Sequence, residues 1–231
     1  MRIACSVAIA LAILFSALSA QAFDCLERAS DRIKSGDEAG AVAAVKRGAR
    51  LGDSRCKFIL GMWSLSGAKA EQNPQAGLRW LKEAANDGLP IARSSLGLLY
   101  ASGLAVEQDE QRAARLYRQA AEYGDPLGQT ALALASFRGV GIPQNRHDAY
   151  QWMSLAAAQG HEQARDYLPT VEGSLSADEL QLAKADVAKF RAKERQGQRK
   201  PDKKKLLRLL GLNGPPGEIQ RFFGFGGGVE R

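Results

Sequence analysis

Apolar residues recur along most of this chain at helical spacing, in short runs closed by glycine. Between Ala92 and Ser102 the positions Ala92, Leu96, Leu99 and Tyr100 share one helical face, which predicts a first helix. Gly103 ends it, because a left-handed residue after the last turn costs glycine no steric penalty. A polar loop then reaches Asp109, a residue type that accepts from the open N–H groups of a starting helix. The second helix carries Leu116-Tyr117 four residues before Ala120-Ala121 and stops at Gly124. Large side chains thus alternate with small ones, the pattern of two closely packed helices.

The same script is written several times. Gly52, Gly88, Gly124 and Gly160 stand 36 residues apart, the last three preceded by Ala84-Ala85, Ala120-Ala121 and Ala156-Ala157. Leu60-Gly61, Leu96-Gly97 and Leu132-Ala133 keep that register, as do Gly67, Gly103 and Gly139. The loops end at Asn73, Asp109 and Asn145, with Pro74 at the first helical position of one repeat. A unit of this length cannot bury its own apolar face, so each repeat relies on stacking against its neighbours. After Gly160 the pattern is expected to break at Pro169 and to resume at Ser176, which with Glu179 forms a capping box opening a final helix.

The N-terminus belongs to another class. Arg2 precedes an apolar run from Ile3 to Leu18, followed by Ala20-Gln21-Ala22. This predicts a signal peptide over residues 1–22 with a small-x-small cleavage site, and a mature chain that begins near Phe23 in the periplasm. The run is shorter than the roughly 20 residues of a membrane span, which disfavours an uncleaved anchor. Asp24 before Cys25 argues against a lipoprotein. Export leaves Cys25 and Cys56, an even pair in an oxidising compartment. Aligning Gly36 with Gly67 superposes the two cysteines at the start of consecutive repeats. One reading is a disulfide; the other is two unpaired buried thiols at a small-residue position, where Ala92, Gly128 and Ala164 stand in later repeats.

Charge divides the chain again. Residues 191–231 hold eleven Lys or Arg against Glu194, Asp202, Glu218 and Glu230, and that excess equals the formal net charge of +7. Within this basic tail Lys203, Lys204, Lys205 and Arg208 form a short basic-apolar segment with leucines, a composition suited to an anionic membrane or cell-wall surface. A disordered, solubilising extension is the plainer reading. Nucleic acid is not an expected partner of an exported chain.

On these residues the chain resembles the Sel-1-like repeat family, helical solenoids related to tetratricopeptide repeats. Ala92, Leu96-Gly97, Tyr100, Gly103, Val106, Asp109, Ala113, Tyr117, Ala120-Ala121 and Gly124 follow the family pattern, which Ser64, Ala70, Ala133 and Ser136 depart from in the other repeats. The resemblance implies an all-α, right-handed α-solenoid of helix-turn-helix repeats: a truncated leading repeat at 23–52, repeats and capping helix at 53–190, then the tail. In such solenoids first helices line the concave surface. Phased on Gly61, Gly97 and Ala133, the expected groove is Arg55, Phe58, Met62 and Leu65; Ile91, Ser94 and Leu98; Leu127, Thr130, Leu134, Phe137 and Arg138. A mostly apolar strip edged by arginine suits an amphipathic helix or a peptide with acidic groups, although the same residues could be core.

Chemistry is sparse. His147 and His161 have no second ligand at metal spacing, no Gly-x-Ser-x-Gly is present, and Gly224 and Gly226–Gly228 lack the lysine and strand of a phosphate loop. The expectation is a non-enzyme without metal or cofactor: an exported adaptor that holds a segment of an envelope or regulatory protein. The alternative is a surface binder acting through its tail. A cell-wall or β-lactam-directed enzyme, suggested only by cysteine-rich relatives, is the third reading.

Overall fold

The computed structural model describes residues 26–197. Every regular element among them is an α-helix. Two compact units divide the chain, with described parts 26–84 and 85–197.

In the first unit residues 26–34 form α1, followed by α2 (Glu38–Arg50), α3 (Ser54–Ser66) and α4 (Pro74–Asn86), whose last two residues belong to the second unit. Aspartates open two of these helices. Asp37 accepts from the Gly40 N–H, and Asp53 accepts from the Arg55 and Cys56 N–H groups while its second oxygen receives Arg55 Nη2 at 2.8 Å. Helices α3 and α4 touch backbone to backbone, since a Cβ on Gly77 would lie 2.8 Å from Gly61 O. Ile59, Leu60, Trp63, Leu78 and Leu81 fill the core beside them.

The second unit contains α5 (Pro90–Ser102), α6 (Glu110–Glu122), α7 (Pro126–Arg138), α8 (Arg146–Ala158), α9 (Glu162–Glu172) and α10 (Ala177–Gly197). Each helix packs on the next in sequence from α5 to α9, α5 also meets α7, and α10 lies on α8. The helices from α2 to α8 are all 13 residues long, because the same stop and start signals recur at the same interval. Asn73, Asp109 and Asn145 cap their helices through side-chain oxygens, as their positions predict. Gly67, Gly103 and Gly139 close the first helices in the left-handed region.

Two boundaries differ from the sequence expectation. Pro169 does not break α9, which continues to Glu172. A proline so near the C-terminus removes only its own bond to the fourth residue before it, and its carbonyl still accepts from Gly173 N at 2.9 Å. The capping box forms as read, with Ser176 N donating to Glu179 Oε2 at 2.8 Å. The backbone bond from Ser176 and its hydroxyl hold the Glu179 carboxyl below its ordinary range. Helix α10 then runs to Gly197, so the first residues assigned to the tail by composition are helical. It docks through Ala183 and Val187, and Phe190 meets Trp152 edge to face with centroids 5.7 Å apart.

Ala105, at φ 62°, is the one non-glycine residue with positive φ among the described residues. One repeat later the equivalent position is Gly141, at φ 69°. Ala105→Gly removes the left-handed cost of roughly 1–2 kcal/mol but adds backbone entropy to the unfolded chain. A net gain of about 0.5 kcal/mol is expected in urea denaturation, and a loss would show that the loop does not hold this conformation in solution.

Candidate binding surfaces

The first helices carry the strip that the sequence singled out, and its residues are not equally accessible. In the first unit Phe58 is buried, whereas Arg55, Met62 and Leu65 are half-buried. In the second unit Ser94, Leu98 and Thr130 are buried, Ile91, Leu127, Leu134 and Phe137 half-buried, and Arg138 exposed. Leu134 and Phe137 also lean on the core around Met153. Local bonds consume the polar members. Arg55 is paired with Asp53, and Ser94 Oγ donates to Ile91 O at 3.1 Å. Thr130 Oγ1 donates to Pro126 O and, its proton so placed, accepts from His161 Nδ1 at 3.0 Å. The accessible part of the strip in the second unit is therefore apolar, ending at the Arg138 guanidinium.

Two ladders of side chains escaped the hydrophobic reading. Gln72, Gln108 and Gln144 each donate to a carbonyl in the last turn of the preceding first helix, those of Leu65, Ala101 and Phe137. Arg93, Gln129 and Arg165 each donate to the second alanine carbonyl of the preceding Ala-Ala pair, those of Ala85, Ala121 and Ala157. The first ladder satisfies carbonyls that a helix end leaves open, the second adds a donor to carbonyls that already accept from Gly88, Gly124 and Gly160 N–H, and both recur at the 36-residue interval in the sequence. Gln129 is fully buried and also accepts from Gln159 Nε2 at 2.7 Å. Arg93 lies over the exposed Tyr123 ring and Arg112 over the buried Tyr100 ring, so cationic planes cover ring faces along the repeats.

Both histidines have partners within the helical stack. His147 Nε2 stands 3.5 Å from Asp186 on α10 and braces the capping helix, while His161 meets Thr130. Among the described residues no group of three or more His, Cys, Asp or Glu could hold a metal ion, and no helix is long and apolar enough to cross a membrane. Residues 108–111 with Gly139 and 141–143 line an open depression of about 810 Å³, where Asp109 is already committed to the Arg112 N–H.

Cys56 is buried and disulfide-bonded. Cys25, the partner the repeat alignment offers, lies outside the described residues, as do Lys203, Lys204, Lys205 and Arg208. Pairing of Cys25 with Cys56 predicts no free thiol in the denatured, signal-free protein before reduction and two after it, read by Ellman titration. Two free thiols without reductant would overturn the pairing.

Consecutive, mutually capped helix pairs of constant length define a helical-repeat protein of the α-solenoid class. The Sel1 repeat matches residues 54–89, 90–125 and 126–161, and the chain belongs to the Sel1 repeat family. A Sel1 repeat protein from Oxalobacter formigenes is 38% identical over 55% of this chain and 95% of its own, with a TM-score of 0.51. The structure of c5321, a protective antigen of uropathogenic Escherichia coli strains with an SLR fold, shares the fold at 24% identity and a TM-score of 0.62. That comparison covers 94% of this chain and 52% of c5321, so the chain spans about half the length of that protein. No curated protein matches the chain. Sel1 repeat proteins are in general protein–protein interaction scaffolds.

Proposed function

We propose that this chain is an exported scaffold that holds a peptide segment of an envelope or regulatory protein against the first helices of its Sel1 repeats. One observation carries the reading: α5 and α7 lie against each other, and the half-buried members of the strip on them, Ile91, Leu127, Leu134 and Phe137, are apolar. Ile91 and Leu127 occupy the same place in consecutive repeats, as do Leu98 and Leu134. A repeating apolar strip on a rigid support suits the regularly spaced anchors of an amphipathic helix or an extended segment. Export rests on Arg2, the run from Ile3 to Leu18 and Ala20-Gln21-Ala22.

A photo-crosslinking residue at Leu127 or Leu134 tests the surface in envelope-containing cells. The expected result is one defined adduct at both positions and none at Gln119, an exposed residue of α6. Equal labelling at all three sites, or none, would sink the reading. Cell fractionation tests export directly, because a signal-bearing chain found at full length in the cytoplasm contradicts it.

A further inference from the structure

Among the described residues, Leu104 and Val140 are large apolar side chains exposed at equivalent places, 36 residues apart. Each follows the left-handed glycine that closes a first helix, Gly103 or Gly139. Each N–H is tied back to that helix, Leu104 N donating to Leu99 O at 3.2 Å and Val140 N to Ala135 O at 3.0 Å. An apolar residue at this place frequently covers the last turn of its own helix. Here Leu104 stays 55% exposed and Val140 39%, so that role does not consume either. The first repeat has only Ala68 there, and the next place after Val140 is Ser176 of the capping box. The row is thus confined to the loops that follow α5 and α7.

These two loops are held side by side. Helices α5 and α7 lie against each other, and neighbouring helix axes stand about 8–10 Å apart. Gly141, next to Val140, sits against the Glu110 backbone at the far end of the Leu104 loop, which seats one loop on the other. In an extended polyproline II segment every third side chain lies on one face, about 9 Å from the last. Two aliphatic residues three apart therefore match the row. Charge gives it a direction. Arg138, in the last turn of α7, is two residues from Val140, and Glu107 is three from Leu104. Both are exposed, and neither makes an ion pair among the described residues, so each can turn to a group lying on the neighbouring aliphatic side chain. The equivalent places hold Ser102 and Pro143, so the two ends of the row carry opposite signs.

We propose that Leu104 and Val140 form a docking edge for an extended peptide segment with two aliphatic residues three apart, a carboxylate beside the one on Val140 and a basic group beside the one on Leu104. A peptide of mixed charge fits better than an anionic bilayer, whose headgroups would meet Glu107 and the exposed Glu110 at their own sign. The edge begins where the first-helix strip ends, at Phe137 and Arg138. It rests on the scaffold reading only in calling the occupant a peptide.

The test is phage display of a random dodecapeptide library on the purified chain, with the selected peptides then titrated by fluorescence anisotropy. The expected peptides share two aliphatic residues three apart, with an acidic residue on one side and a basic one on the other. Leu104→Ser and Val140→Ser each remove an anchor and are expected to weaken binding about tenfold. Arg138→Glu weakens it by a similar factor, and changing the acidic residue of the peptide to lysine recovers the loss. All three positions are exposed, so the variants should fold, which circular dichroism checks. The basic tail is the same in every protein, so attraction to it cannot produce these differences. Peptides without the pattern, binding that Leu104→Ser and Val140→Ser leave unchanged, or no recovery by the lysine peptide overturns the proposal. Peptides that ignore both substitutions but are lost with Leu134→Ser bind the first-helix strip, and then the scaffold reading stands while the docking edge falls. If no peptide is selected the edge falls as well, and the adduct at Leu127 decides the scaffold reading separately.

Discussion

Gly141→Ala will destabilise the second unit by about 3 kcal/mol, the sum of a left-handed penalty of roughly 1–2 kcal/mol and an overpacking cost of similar size. A Cβ at this position would sit 2.5 Å from the Glu110 carbonyl carbon, nearer still to its oxygen, and 3.0 Å from Gln111 N. These are backbone atoms in the first turn of α6, which cannot rotate away as a side chain would. The equivalent residue one repeat earlier is Ala105, at φ 62°, so the loop accepts a methyl group at positive φ there. At Gly141 the contact with Glu110 adds to the conformational cost. A fall in thermal midpoint of about 10 °C is expected from a loss of this size. A loss below about 1 kcal/mol would mean that the loop yields and that residues 139–143 are not seated on α6.

The physical basis of that contrast also explains what could be read from the sequence. Helix starts at Asp109 and Asn145 and stops at Gly103 and Gly139 were legible because each is decided within four residues, by a side-chain oxygen or a missing Cβ. The clamp formed by Arg93, Gln129 and Arg165 was not, although it has the same period, because an amide and a guanidinium serve one role and only their target carbonyls reveal it. Pro169 was misread for a related reason: its cost depends on which bond is lost, not on the residue alone. The strip on the first helices shows both limits together. Its phase follows from Gly61, Gly97 and Ala133, but the burial of Phe58, and of Thr130 beside a histidine 31 residues away, depends on how helices stack.

Stacking complementarity leads to the second large expectation, that Gly97→Ala costs about 2 kcal/mol by overpacking and that Tyr117→Met recovers at least 1 kcal/mol of it. A Cβ on Gly97 would lie 2.6 Å from Tyr117 Cε1 and 3.3 Å from Ala113 O. The Tyr117 ring is buried, which pushes its hydroxyl pKa up and leaves the ring little room to swing aside. One repeat later the same two places hold Ala133 and Met153, both fully buried in one core cluster. The first repeat solves the problem differently again, with Gly61 against Leu81 at 2.9 Å. Methionine bends around the extra methyl where a ring cannot, so the pair is the unit that must be conserved in volume. The double-mutant cycle, run by urea denaturation, should therefore be strongly non-additive. Additivity within about 0.5 kcal/mol would show that the two positions relax independently. A coupled result would mean that each repeat carries its own packing solution between paired helices. The outward residues of the first helices could then vary with the partner while the stack beneath them stays intact.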